Sequence, residues 1–176
     1  LEGGREMADT VRAISDTGIP VVGHIGLTPQ SVGKLGGYRL QGRTAEDARR
    51  LWEDAKALQE AGAMMLVLEM VPDRVAEQIS RWLRIPTIGI GAGPGCDGQV
   101  LVLHDLLGMF DRFTPRFVKR YANLFVEMER ALAEYRDDVI QRRFPTAEHT
   151  FAMDDAEWAK WSQEMARLTS PSCHEG

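Results

Sequence analysis

Five titratable residues fall at or near the ends of short apolar or glycine-bounded segments: Glu2, His24, Glu69, and the adjacent His104 and Asp105. Glu69 is the most pointed of them. It closes the run "MMLVLE", and Pro72 follows soon after. A carboxylate set between Leu68 and Met70 loses hydration when it ionises, so its pKa is expected to rise. A raised pKa suits a general base that works near neutrality. A strand-end Glu that pairs with an arginine or caps a helix is the competing reading. His24 sits between glycines in "GHIG". Its imidazole could donate to a substrate carboxylate or carbonyl, or could simply bond a neighbouring loop.

These residues need elements to position them. The segments 20–26, 63–69, 85–91 and 99–105 are short, apolar at nearly every position and bounded by Gly or Pro, as expected of parallel strands covered on both faces. Helices are predicted between and around them. One starts after Thr44 with Asp47 three residues on, carries Ala48, Leu51, Trp52, Ala55 and Leu58 as a stripe, and stops at Gly62. Another has Pro72 in its first turn, with Val75, Ile79, Trp82 and Leu83 inward. Segments 6–18 and 115–142 complete the set. Such alternation leaves a doubly wound sheet or a (β/α)8 barrel. In either, the C-terminal strand ends line the mouth of the site, so the five residues converge there. A whole barrel takes roughly 250 residues, and four strands make half of one.

The stretch "GIGAGPGCDGQ" contains a literal GxGxxG at Gly93–Gly98. A dinucleotide site needs a helix directly after those glycines. A strand is expected at 99–105 instead, so the stretch reads as a flexible loop at the mouth. Residues 26–43 are polar, glycine-rich and long, which suits a binding loop or lid. Residues 1–145 are read as half a barrel with closing helices. Residues 146–176 are read as an extension whose Trp158, Trp161, Met165 and Leu168 would dock on the core or on a neighbouring subunit.

The 176 residues are 44% hydrophobic with a net charge of −5, which disfavours nucleic-acid or membrane-surface partners. The basic clusters at 116–120 and 141–144 read as solvated helix faces. Cys96 and Cys173 have no metal-ligand spacing and suit a reducing cytosol. No apolar run approaches membrane-spanning length. The opening "LEGGREMADT" resembles a strand end and turn rather than a signal peptide.

Taken together, "LEGG", "GHIGLTPQSVGKLGGYRLQGR", "LVLEMVP", "IPTIGIGAGPGCDGQVLVLHDLLG" and "FPTAEHTF" resemble, in collinear order over residues 1–151, the second half of the ketopantoate (3-methyl-2-oxobutanoate) hydroxymethyltransferases. The resemblance implies a (β/α)8 TIM barrel of the phosphoenolpyruvate/pyruvate type, of which this chain supplies about the second half. It implies transfer of a one-carbon unit from 5,10-methylenetetrahydrofolate to 3-methyl-2-oxobutanoate, with Mg2+, in a cytoplasmic homo-oligomer, commonly a decamer. It places the general base on Glu69, a metal-associated carboxylate on Glu2, and a ketoacid-binding histidine on His24. The family's lysine of "K-x-EGG" and its two aspartate ligands would precede Leu1. Two other functions stay open: a lyase or aldolase of the same barrel superfamily acting on another 2-oxo acid, and a non-catalytic half-barrel that serves assembly.

Overall fold

A computed structural model describes residues 1–31 and 39–169. The chain divides into two compact units, Leu1–Phe125 and the residues from Val126 onward.

The first unit is built on a four-stranded parallel sheet: β1 (Val22–Gly26), β2 (Met65–Glu69), β3 (Thr87–Ile90) and β4 (Gly98–Gln99), in that order. A doubly wound sheet reverses its strand order at a switch point. Here the order follows the sequence without reversal, as in half of a (β/α)8 barrel. Leu1–Gly3 extends the sheet beyond β1: Leu1 N donates to Val22 O (2.8 Å), Gly3 N to His24 O (3.0 Å), and Glu2 bridges His24 in parallel.

Helix α1 (Ala8–Asp16) follows a 3-10 turn at Arg5–Met7. Helix α2 (Ala45–Glu60) joins β1 to β2, and α3 (Asp73–Trp82) joins β2 to β3. The start of α2 is set by Thr44, whose Oγ1 accepts from Asp47 N at 3.1 Å. Its end is a Schellman motif. Gly62 adopts φ +98°, its N–H bonds Gln59 O, and Ala63 N bonds Leu58 O. The stripe on α2 buries Leu51, Ala55 and Leu58 against Ile25, Leu66 and Leu68 of the sheet and against Ala76 and Ile79 of α3. Each Leu or Ile among them contributes about 1.5–3 kcal/mol when fully buried.

Burial alternates along β1 and β2. Gly23, Ile25, Leu66 and Leu68 face the helices and are sealed, whereas His24, Val67 and Glu69 are half-buried. The expected burial on both faces is therefore found on one. The face that carries the candidate site residues is not sealed by the described residues.

Four local expectations are corrected. The run 99–105 is not a strand: pairing ends at Gln99, Val100 and Val102 are exposed, and Leu103–Leu106 forms a one-turn helix, α4. Residues 115–123 are not helical; helix α5 spans Leu124–Ile140. Trp82 does not face the core. It is 47% exposed and meets Trp52 edge-on at 4.9 Å.

The fourth correction concerns the glycine-rich stretch, which is no open loop at the mouth. It runs back beside α3 from the end of β3 to its start. A Cβ on Gly93 would stand 2.5 Å from Asp73 Cβ, and one on Gly95 2.6 Å from Glu77 Cβ. The glycines are there for close packing. Where the stretch ends, Asp97 Oδ2 accepts from Thr87 N (2.8 Å) and Thr87 Oγ1 (3.0 Å), and Thr87 Oγ1 also meets Ser80 Oγ at 2.7 Å. These bonds hold the Asp97 carboxyl below its usual range. No helix follows the glycines, so the dinucleotide reading stays excluded on the same ground as in the sequence.

In the second unit, Phe144 stacks edge-on with Tyr135 and His149, and Thr146 and His149 bond across a short 3-10 turn at Ala147–His149. Helix α6 (Asp155–Thr169) carries Trp158, Trp161, Met165 and Leu168 at 36–69% exposure.

Candidate active site

The parallel register decides which candidates meet. His24 lies abreast of Val67, and Gly26 abreast of Glu69. Side chains two residues apart on a strand share a face, so His24 and Glu69 project from the same face of adjacent strands, offset by one pleat. Glu2, bridged to His24 on its other side, joins them. His24 Nε2 lies 3.1 Å from Glu69 Oε2, and His24 Nδ1 lies 3.8 Å from Glu2 Oε1. The imidazole thus stands between two carboxylates at the C-terminal ends of the strands. Its Nε2 is buried yet has no hydrogen-bond partner, because the N–H does not point along the short approach to Glu69. The contact is electrostatic.

Glu69 retains 16% of its side-chain exposure. Burial raises its pKa above the usual carboxylate range. The neighbouring His24 opposes this without overcoming it, and the nearby Glu2 charge adds to the rise. The expected direction of the shift is met, and its first cause is the expected one, desolvation.

The backbone around Glu69 is held on three sides. Leu27 N donates to Glu69 O (2.8 Å), Met70 N to Ile90 O (2.9 Å), and Gln41 N to Met70 O (2.8 Å). Gly26 turns with φ +93°, and a Cβ there would stand 2.1 Å from Glu69 O. The second glycine of "GHIG" is therefore required by the strand that carries the carboxylate. Met70, directly after Glu69, adopts φ +52°, a region costly for a residue with a Cβ. Nothing in the sequence marks that strain. Gln30 was also missed: its backbone N donates to Glu2 Oε2 at 3.1 Å, a contact invisible to side-chain chemistry.

His104 and Asp105 do not join the cluster. They lie on α4 rather than at a strand end, and no side-chain contact links them to Glu69 or His24 among the described residues. The expected binding loop at 26–43 falls in part on residues 32–38, outside those described. Its described flanks are tied to both sides of the cluster, through Gln30 to Glu2 and through Gln41 to Met70. Among the described residues no group of three or more His, Cys, Asp or Glu is placed to hold a metal ion.

Sequence comparison agrees with this frame. The profile of the family described as ketopantoate hydroxymethyltransferase matches residues 1–147. The chain belongs to that family. Curated relatives named 3-methyl-2-oxobutanoate hydroxymethyltransferase include one from Moorella thermoacetica, 59% identical over 151 residues, covering 86% of this chain and 56% of the relative. One from Oleidesulfovibrio alaskensis is 55% identical over 166 residues, covering 94% and 57%. A third, from Ruegeria sp., is 59% identical over 152 residues, covering 86% and 54%. The chain spans just over half the length of the hydroxymethyltransferases it matches. Within that half, "VLEMVP" is the end of β2 with its turn, and "GHIG" lies in β1.

Proposed function

We propose that the whole protein to which this chain belongs transfers a hydroxymethyl group from 5,10-methylenetetrahydrofolate to 3-methyl-2-oxobutanoate, giving 2-dehydropantoate. The observation that carries the reading is Glu69: a half-buried carboxylate at a strand's C-terminal end, with its pKa raised by desolvation. A general base must hold a proton affinity near the working pH and reach the carbon acid. Glu69 takes the C3 proton of the 2-oxo acid, and the electron pair of that C–H bond moves through C3–C2 onto the 2-oxo oxygen. Water adds to the methylene carbon of the folate, its bonds to N10 and N5 break as those nitrogens take up the two protons of water, and tetrahydrofolate leaves. The enolate carbon then adds to the formaldehyde so released, whose oxygen takes the proton held by Glu69 to become the hydroxymethyl group. His24 favours the charged form of Glu69 and stands beside the position the ketoacid takes.

Mg2+ belongs to this proposal for the whole protein only. Glu2 is one carboxylate, and one of its oxygens already accepts from Gln30 N. A hard octahedral cation takes one or two carboxylates together with substrate and water oxygens. The donors described here do not make such a site by themselves, and Glu2 is the carboxylate this reading assigns to it. Cytoplasmic location, homo-oligomeric assembly up to a decamer, and the lack of nucleic-acid or membrane partners are part of the same reading. No described helix is long and apolar enough to cross a membrane.

The test is product formation: whole protein, 3-methyl-2-oxobutanoate, methylenetetrahydrofolate and Mg2+, with 2-dehydropantoate followed by mass spectrometry. Product that appears only when both substrates are present supports the reading. Its absence, with the fold intact, favours the non-catalytic half-barrel.

A further inference from the structure

Arg116, Lys119 and Arg120 lie in the segment 116–120, expected to be a solvated helix face; neither it nor the preceding stretch with Arg112 is helical. The two make an extended strap tied back to the first unit. Tyr121 N donates to Leu106 O (2.8 Å), and Arg120 Nη2 donates to Phe110 O (2.6 Å). The strap reaches the rim that bears Glu69. Ile90 stands abreast of Glu69, and a Cβ on the next residue, Gly91, would lie 2.9 Å from the Phe117 ring and 3.2 Å from Met70 Sδ.

Elsewhere the basic residues are commonly matched: Arg5, Arg49, Arg50, Lys56, Arg81, Arg130, Arg136, Arg143 and Lys160 all sit in ion pairs. None of the four strap cations has an ion-pair partner among the described residues, and Asp111 is the sole acid between residues 109 and 126. Lys119 rests over the Tyr121 ring at 4.8 Å. Arg120 Nε is buried without an acceptor. In a chain of net charge −5, this is a local concentration of unmatched positive charge beside the mouth.

We propose that this strap binds the acidic tail of the co-substrate, a string of γ-linked glutamyl carboxylates on the folate, where it leaves the mouth. The inference rests on the transferase reading above. The 2-oxo acid is too small for the role: it must reach half-buried Glu69, and its single carboxylate cannot engage several exposed cations. A flexible oligocarboxylate can, and each added carboxylate meets another cation at high effective concentration. A nucleic acid fits poorly, since four cations in an acidic chain give a weak field for it.

The test uses the full chain and three probes in titration calorimetry: tetrahydrofolate with one glutamate, the same with five, and penta-γ-glutamate lacking the pterin. Two variants are compared, Arg112→Glu/Arg116→Glu/Lys119→Glu and the neutral Arg112→Gln/Arg116→Gln/Lys119→Gln. Arg120 is left in place because it anchors Phe110 O. Circular dichroism checks that both variants fold. The pentaglutamyl folate should bind about 10-fold or more tightly than the monoglutamyl form, with the advantage shrinking as salt rises and vanishing in both variants. Equal affinity for the two folates in the wild type, or a preference that survives in the folded neutral variant, overturns the proposal. Penta-γ-glutamate separates this inference from the one beneath it. If that peptide binds and both variants lose it, the strap is upheld even where no transfer occurs. If it fails to bind the wild type, the strap is refuted even where transfer is observed.

Discussion

His24 Nε2 approaches Glu69 Oε2 to 3.1 Å across two parallel strands, yet its N–H is not directed along that line. The pair is coupled by charge rather than by an aligned hydrogen bond, and the proton affinity of Glu69 is a balance. Desolvation raises it and His24 lowers it.

Removing His24 tips that balance. In His24→Gln, Glu69 loses its principal opposing influence and its pKa climbs further. The acidic limb of the rate profile for C3 proton exchange should move to higher pH, because the ionised base is lost earlier on acidification. A pH series of exchange rates for the two proteins checks this. An unmoved or downward-shifted limb would show that His24 does not set the proton affinity of Glu69.

Glu69 also links to stability, with the sign of a carboxyl whose folded pKa is raised. As pH climbs past the unfolded pKa, the unfolded chain releases the proton while the folded chain retains it, so folding stability declines until the folded pKa is passed. The deficit persists at neutral pH. Glu69→Gln lacks it, so the melting temperature of this variant relative to wild type should be more favourable at pH 8 than at pH 4. Thermal melts at both values decide the matter, and the opposite trend would mean that the carboxylate is stabilised where it sits.

Gly26 and Gly18 form a matched comparison. Both have positive φ, +93° and +85°, but a Cβ meets Glu69 O at 2.1 Å in the first and nothing within 4 Å in the second. Gly18→Ala should cost only backbone strain, roughly 1–2 kcal/mol, and leave C3 exchange unchanged. Gly26→Ala must also displace the strand under Glu69. Its cost should exceed that of Gly18→Ala by about 2 kcal/mol or more, with exchange lowered at least about 10-fold, since ångström-scale misplacement of a catalytic group is expensive. Denaturant melts and exchange assays on both variants provide the readout.

The Thr87–Asp97 contact holds β3 to β4. Thr87 is fully buried, and Thr87→Val keeps the shape while removing the hydroxyl that donates to Asp97 Oδ2 and accepts from Asp97 N; the backbone bond from residue 87 to Asp97 and that from Ser80 to Ala76 O remain. A loss of about 1–3 kcal/mol is expected for the bonds so removed. The Asp97 carboxyl is held below its usual range, so its stabilisation is present at neutral pH and is lost as pH falls through the depressed folded value. The stability gap between wild type and Asp97→Asn should accordingly narrow in acid.

Much of this arrangement was legible in the residues. The Thr44 cap, the α2 stripe and Gly62 bound a helix through local chemistry alone, and the structure reproduces each. Glu69 stood out as a charge at the end of an apolar run, but its position alone suited an arginine pair or a helix cap equally well, and the choice between them came from the neighbouring strands. Legibility failed where an apolar run lacked a periodic cue. "QVLVL" suits a strand or a buried helix equally. Here the Asp97 latch lets only Gly98 and Gln99 pair before the chain turns into α4. The glycines of 93–98 pointed to a ligand and proved to make room for α3, because close helix packing and close ligand approach ask for the same residue. The strain at Met70 and the backbone contact from Gln30 depend on the neighbouring strand and loop, which no local pattern encodes.

The account stands or falls on Glu69 acting on carbon. Incubating the whole protein with 3-methyl-2-oxobutanoate and Mg2+ in deuterated water, without folate, isolates that step. Deuterium should enter C3, and Glu69→Gln should slow its entry by about 10²–10⁴-fold while the protein remains folded. Exchange within a few-fold of wild type in Glu69→Gln, or none in the wild type, would contradict the assignment.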